Sequence, residues 1–243
     1  MSISHRLGCW IDLPSPHVAD IVAGAGFDFV VIDCEHGAID LERLQTLLMV
    51  FKGREIEVIV RVPDTSTTAI RRALDAGAPA LMIPMVEDVD TARHVIAAAR
   101  FAPKGVRGEA LDILLASDWG RAVPATYATP PKLLLQIESQ GALNVAAQIA
   151  AIDPDTELFF GPSDYAASQG LAKDADAVQA GTARLAQIAQ GAGRVAGTVV
   201  YAGASAPDLA EMGYTRIAVA SDVITLVKGL AASVKEARDA VQG

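Results

Sequence analysis

Short apolar runs alternate with stretches of helical periodicity from one end of the chain to the other. The apolar runs fall at 7–11, 29–33, 57–61, 80–84, 132–137, 157–161, 195–200 and 216–220. Candidate helices follow them at 16–25, 40–52, 65–77, 88–100, 140–151, 174–192, 205–212 and 221–241. Segment 65–77 carries the helical signal plainly: Ala69, Ile70, Ala73, Leu74 and Ala76 share one face, with Arg71, Arg72 and Asp75 between them. Thr65 and Ser66 offer a cap at its start, and Gly77 offers a stop. The strand runs are apolar on both faces, as in a parallel sheet covered by helices. Eight strand–helix units in 243 residues predict a closed (β/α)8 TIM barrel, an α/β fold in one domain spanning 1–243. An open doubly wound sheet would carry a glycine-rich phosphate loop after its first strand, and Gly8-Cys9-Trp10-Ile11-Asp12-Leu13-Pro14 contains none. The one long connection, 101–131, is expected to be functional or to form an assembly surface.

Several strands end abruptly in charge. Phe29-Val30-Val31-Ile32 runs into Asp33-Cys34-Glu35-His36, and Val58-Ile59-Val60 stops at Arg61. Leu133-Leu134-Leu135 leads to Gln136-Ile137-Glu138, and Leu158-Phe159-Phe160 opens into Gly161-Pro162-Ser163-Asp164. A buried charge is costly unless paired or metal-bound, and a barrel gathers its strand C-terminal ends on one rim. Asp33, His36, Arg61, Glu138 and Asp164 are therefore expected to meet there. Two neighbouring carboxylates repel unless a cation or proton lies between them, and hard oxygen ligands suit Mg²⁺ or Mn²⁺. The pair could instead be an acid–base couple of a glycosidase, although aromatics at 5% make a poor sugar cleft, or simply salt-bridged strand ends.

His36 is placed to exchange protons near neutral pH, or is a surface histidine after a strand; His5, His17 and His94 fit the surface role better. Arg61 can hold a carboxylate or oxyanion bidentately, or pair with a neighbouring acid. Asp75, on a predicted helix, has a solvated face as its default. The six lysines, Lys52, Lys104, Lys132, Lys173, Lys228 and Lys235, all miss the C-terminal strand ends, which argues against imine chemistry.

Composition narrows the classes further. Apolar residues make up 51% of the chain, enough for a large core. A net charge of −9 argues against nucleic acid and anionic membrane as partners. Two cysteines without CxxC spacing, Cys9 and Cys34, read as inert buried thiols. The first residues lack a signal-like apolar core and no run reaches membrane-spanning length, so the expectation is a soluble cytoplasmic protein.

With these residues in place, the chain resembles the HpcH/HpaI family of metal-dependent pyruvate aldolases, which includes the 4-hydroxy-2-oxoheptanedioate and 2-keto-3-deoxy-sugar-acid aldolases. The likeness runs in order through FDFVVIDCEHGAIDLERLQTLL, VIVRVP, RRALDAGAPALMIPMVEDVDTARHVIAAARFAPKGVRG, DWGR, LLLQIES, LFFGPSDYAASQG, AGTVVYA and GYTRIAVASDVITL, nearly the whole chain. The resemblance implies that Glu138 and Asp164 ligate a divalent metal, Mg²⁺ or Mn²⁺, with Co²⁺ or another divalent ion as alternatives. It implies His36 as the base, acting through a metal-bound water and oriented by Asp33, with Asp75 raising its basicity. Arg61 would hold the pyruvate oxygens and stabilise the enolate, while Gln136, Gly161, Ser163 and Asp164 line the pyruvate site. The implied fold is the same barrel, in a homo-oligomer (hexamer or trimer) with an exchanged C-terminal helix.

The stretch 109–121 departs from the family pattern, and is expected to recognise the aldehyde or to pack against a neighbouring subunit. The activity implied is reversible cleavage of a 4-hydroxy-2-oxo acid to pyruvate and an aldehyde through a metal-stabilised enolate. The alternatives are a related carbon–carbon lyase, including an oxaloacetate decarboxylase, or a non-catalytic barrel that binds an oxo acid. A CoA ester would call for a basic cluster that the sequence lacks. For the apolar stripe of 221–241, judged without the family, packing on its own barrel is the simpler expectation.

Overall fold

In the computed structural model, which describes residues 4–242, eight parallel strands close on one another in chain order. They are β1 (Arg6–Ile11), β2 (Phe29–Asp33), β3 (Glu57–Arg61), β4 (Ala80–Ile83), β5 (Lys132–Ile137), β6 (Thr156–Phe160), β7 (Ala196–Val199) and β8 (Arg216–Ser221). The helices are α1 (Pro16–Ala23), α2 (Leu41–Phe51), α3 (Thr67–Asp75), α4 (Val89–Ala99), α5 (Val123–Ala128), α6 (Gln140–Ala150), α7 (Pro162–Ser168), α8 (Asp176–Gly191), α9 (Ala206–Met212) and α10 (Asp222–Gln242). The (β/α)8 TIM barrel expected from the alternation is the observed fold. The ends of the expected 1–243 span, Met1–Ile3 and Gly243, lie outside the described residues.

Strand side chains alternate between two packing environments, as the pleat requires. Phe29, Val31, Ile59, Ala80, Met82, Leu134, Phe159 and Ala218 form one buried cluster, with Trp10 and Val199 against it; this is the barrel interior. Their neighbours, such as Val30, Ile32, Val60, Leu135 and Leu158, join the larger cluster beneath the helices. Two glycines make room for the interior rings: a Cβ on Gly197 would lie 2.6 Å from the Phe159 ring, and one on Gly8 would overlap Phe29. Helix starts are set by side-chain caps. Ser15, Asp40, Ser66, Asp88 and Ser139 each accept a hydrogen bond from the backbone N–H three residues on.

Stepping by two along several strands from the apolar interior leads to polar or charged residues at the ends. Toward the N-terminal ends stand Glu57, Lys132, Glu157 and Arg216, and toward the C-terminal ends Asp12, Asp33, Arg61, Gln136 and Glu138. The N-terminal set closes on itself. Arg216, 2% exposed, meets Glu57 and Glu157 at 2.8 Å each, Lys132 meets the same two acids at 2.8 and 3.5 Å, and Arg6 pairs with Glu57. The C-terminal set is left facing a cavity.

One expectation needs correction and another is narrowed. The stripe on α10 does not pack on its own barrel: Asp222 is its one buried residue, whereas Val227 and Leu230 are 62% and 67% exposed. The long connection, which contains α5 and two short 3₁₀ turns, contributes no residue to the C-terminal cavity. It joins a helix end to the start of β5 and so lies at the opposite face, which separates 109–121 from the cavity of its own chain and leaves packing against a neighbouring subunit as the other expected role. No described helix is long and apolar enough to cross a membrane.

Candidate active site

A cavity of about 1100 Å³ opens at the C-terminal ends of the strands. Its lining includes Asp33, His36, Arg61, Gln136, Glu138 and Asp164, together with Gly161 and Ser163. The residues nominated by strand ends are thus brought together; Asp75, nominated by the resemblance alone, is not among them.

Arg61 is the most constrained of them. Its Nε and Nη2 donate to the two oxygens of Asp33 at 2.8 and 2.7 Å, a bidentate pair between register partners on β2 and β3. Glu35 adds an ion contact at 2.8 Å to Nη1, although its buried Oε2 finds no aligned hydrogen bond. The guanidinium also lies 4.5 Å from the centre of the Trp10 ring. Burial disfavours its charge, but Asp33 and Glu35 outweigh that and raise its pKa. Burial likewise raises the Asp33 carboxyl, and Arg61 together with the Glu35 and His36 amides more than reverses it. The result is a permanent cation locked in place, with three of its five N–H groups not donated within the chain.

Glu138 is buried opposite it. Its Oε1 accepts from Gln136 Nε2 at 2.8 Å and its Oε2 from the Met85 amide at 2.9 Å. Met85 holds a left-handed backbone (φ 52°), a conformation non-glycine residues rarely keep without cause, and it aims that N–H at the carboxylate. Burial, with Asp164 and Glu35 nearby, pushes the Glu138 carboxyl up to about 7, against the opposing pull of the Met85 amide and Arg61. Asp164 comes from the first turn of α7, which the sequence pattern concealed inside a strand–loop boundary. Gln136 Oε1 is buried with no hydrogen-bond partner.

This corner therefore holds two mutually repelling carboxylates, neither in a salt bridge among the described residues, and one orphan amide oxygen, all hard donors. Such a set fits a hard divalent cation that takes one or two protein carboxylates and completes its shell with water and substrate. Among the described residues no group of three or more His, Cys, Asp and Glu could hold a metal ion unaided, so those further ligands would be needed.

His36 stands at the rim with its side chain 67% exposed, 3.9 Å from Glu35. Asp33 orients it through the backbone only, accepting the Glu35 and His36 amides at 2.9 and 3.3 Å; the carboxylate is otherwise spent on Arg61 and does not steer the imidazole ring. Asp75 stands apart from the cavity. It ends α3, at the opposite face from the strand C-termini, and accepts from Arg107 Nη2 at 3.0 Å, so nothing within this chain couples it to His36.

Some lining residues escaped the sequence reading. Trp10 and Asp12 follow the same step-of-two pattern on β1, and Ser221 closes the adjacent end of β8. Lys173 and Lys228 also line the cavity, from the loop after α7 and from α10. Absence of lysine from strand ends did not mean absence from the cavity. Both are exposed, without the desolvation that makes a lysine nucleophilic. The thiols of Cys9 and Cys34 are each pushed up to about 12, chiefly by burial, and so stay protonated.

Comparison with known proteins bears on this arrangement. Residues 6–229 match the family model described as HpcH/HpaI aldolase/citrate lyase. The hydroxypyruvate/pyruvate aldolase of Roseovarius nubinhibens is 35% identical over 91% of this chain and 88% of its own. The 4-hydroxy-2-oxo-heptane-1,7-dioate aldolase of Salmonella arizonae is 32% identical over 92% and 87% respectively. A crystal structure of an HpcH/HpaI aldolase/citrate lyase family protein from Burkholderia cenocepacia superposes with a TM-score of 0.90 at 32% identity, covering 98% of this chain and 96% of that one.

Proposed function

The chain belongs to the HpcH/HpaI aldolase/citrate lyase family, and on that premise we propose that it is a class II pyruvate aldolase. It would be a carbon–carbon lyase that reversibly cleaves a 4-hydroxy-2-oxo acid into pyruvate and an aldehyde. The observation that carries this reading is the pairing, in one cavity, of a locked guanidinium at Arg61 with an acidic corner at Glu138 and Asp164 that no salt bridge neutralises. A cation and an anion-bound metal flanking an oxo acid are what an enolate needs, because preorganised charge contributes most where charge develops.

Glu138 and Asp164 would hold the divalent ion, Mg²⁺ or Mn²⁺ by donor type. Bound there, it would act as a Lewis acid that polarises the 2-oxo group. Arg61 meets the substrate's carboxylate and the developing enolate oxygen with the N–H groups that Asp33 leaves undonated. Gln136, Gly161 and Ser163 line the space around the small pyruvate skeleton. His36 carries protons between this space and solvent. In cleavage the C4 hydroxyl proton departs, the C3–C4 bond breaks, and its electron pair remains on the pyruvate half until C3 is protonated. The exposed apolar stripe of α10 supports assembly of a homo-oligomer, with the helix exchanged between subunits as the resemblance implies.

The test is exchange of pyruvate methyl protons with deuterated water. We expect exchange only with added Mg²⁺ or Mn²⁺, and its loss in Glu138→Ala and Asp164→Ala. Full exchange in either folded variant, or none in the metal-loaded wild type, would refute the assignment.

A further inference from the structure

Across the barrel from the acidic corner, the cavity wall carries a carboxylate for which the aldolase reading has no use. Asp12 continues the inward series Gly8, Trp10, Asp12 at the end of β1 and lines the same cavity as Arg61 and Glu138. In a closed ring of eight strands, β1 stands four places from β5, so Asp12 faces Glu138 from the far side of the mouth.

The position is built, and the side chain is held. Asp12 Oδ2 accepts from the Ser221 hydroxyl at 2.7 Å. The Asp12 and Leu13 amides both donate to the carboxylate of Asp222, at 3.1 Å each. On the other side the turn after His36 lies close to its backbone, and a Cβ added at Gly37 would come within 3.1 Å of the Asp12 carbonyl oxygen.

Among the described residues no lysine, arginine or histidine forms an ion pair with Asp12; Arg61, whose charge reaches it, is already engaged by Asp33 and Glu35. Burial, with Asp222 and Asp33 close by, raises its pKa against the pull of Ser221 and Arg61. A donor arriving on a ligand would relieve that cost. Because Ser221 spends its only proton on Asp12, the pair shows a ligand lone pairs and nothing else. At that point of the wall an acceptor takes a hydroxyl group and opposes a carboxylate, whereas the cations of the same cavity, Lys173 and Lys228, stand on the loop after α7 and on α10.

A substrate anchored by its oxo-acid end at β5, β6 and Arg61 extends toward β8 and β1. We propose that Asp12, held by Ser221, is the specificity-determining group of the acceptor half of the site, receiving a hydroxyl on the carbon next to the aldehyde. The substrate class is then 2-hydroxyaldehydes rather than simple alkanals or aldehydes ending in a carboxylate at that distance. This rests on the aldolase reading above and adds to it a residue and a preference.

The experiment compares glycolaldehyde with propanal, which matches it in size without the hydroxyl, and with succinic semialdehyde, each condensed with pyruvate by the metal-loaded full chain. The wild type should prefer glycolaldehyde over both by about tenfold or more in kcat/KM, the scale of one hydrogen bond to a charged group. Asp12→Ala should collapse the glycolaldehyde-to-propanal ratio toward one, and Ser221→Ala, which leaves the carboxylate present but unheld, should lower it partway. A wild type that exchanges pyruvate protons yet ranks the three aldehydes alike, or prefers succinic semialdehyde, overturns this inference and leaves the aldolase reading standing. An unchanged ratio in Asp12→Ala, or an equal fall with both aldehydes, overturns it as well, since a residue supporting only the fold lowers both rates together. Absence of exchange in the wild type removes both.

Discussion

At Gly161 one methyl group would decide whether the acidic corner forms. The backbone there (φ −100°, ψ 89°) suits any residue, yet an added Cβ would lie 2.7 Å from Cγ of Glu138 and overlap its Oε1. Glu138 is wedged between the Gln136 amide and the Met85 N–H and has little room to yield. Gly161→Ala should therefore fold with a nearly unchanged melting temperature while pyruvate proton exchange falls on the order of 10²-fold, the usual cost of an ångström-scale misplacement. Undiminished exchange would mean that the Glu138 carboxylate does not need its present position. The same scale shows what the sequence could and could not disclose. Asp33, Arg61, Gln136 and Glu138 were legible because a charge at the end of an apolar strand must face something polar. Their partners were not. Asp33 meets Arg61 because the two are register neighbours, and register is a property of two strands together that neither segment carries alone. Asp12 ends its strand with the same signal, two residues after Trp10, but no neighbouring motif marks it.

Between the strand ends, the elements follow from period alone. Observed strand limits lie within a residue of the apolar runs, because both faces of every strand are buried and the run stops where burial stops. The short helices α5 and α7 do not stand out, being six and seven residues long with no strand-to-strand interval of their own, whereas the equally brief α9 is marked by its place between two strands. The N-terminal ends of the strands carry a prediction of their own. Glu57 is partly buried, which would raise its pKa, but Arg216 and Lys132 more than reverse this and hold it at about 2. With an ordinary value of 4.5 in the unfolded chain, this depression contributes stability that is fully present above pH 4.5 and is lost as pH falls toward 2. Its size is on the order of 3 kcal/mol. Glu57→Gln should lower stability at pH 7 by about that amount or more, since Arg216 loses a buried partner. It should also flatten the decline of the urea midpoint between pH 5 and pH 2. Parallel curves for the two proteins would show that the ionic layer is already disrupted in the folded state or that Glu57 pairs equally well when unfolded.

The whole molecule has one feature that a lone barrel leaves unexplained. Along α10, Val223, Val227, Leu230, Val234 and Val241 fall at intervals of four, three, four and seven residues, the spacing of a coiled-coil seam. From Val227 onward every one of them is exposed. A helix of 21 residues with an apolar seam and one buried residue has no source of tertiary stability within its own chain. Its root, however, is fixed: Asp222 clamps the end of β1 through two amides. The helix is thus anchored at the cavity and unsatisfied beyond it, an arrangement that a second copy offering the same seam or a groove completes. Replacing Val227 and Leu230 together by glutamate should convert an oligomer into a smaller species, followed by light scattering coupled to size-exclusion chromatography. The barrel signal in circular dichroism should persist while the α10 contribution fades. A wild type that is monomeric at every accessible concentration, or a double variant of unchanged mass, would show that the seam serves something other than self-assembly. Because Val223, Ile224 and Lys228 of the same helix line the cavity, loss of the oligomer should also raise KM for the acceptor more than for pyruvate.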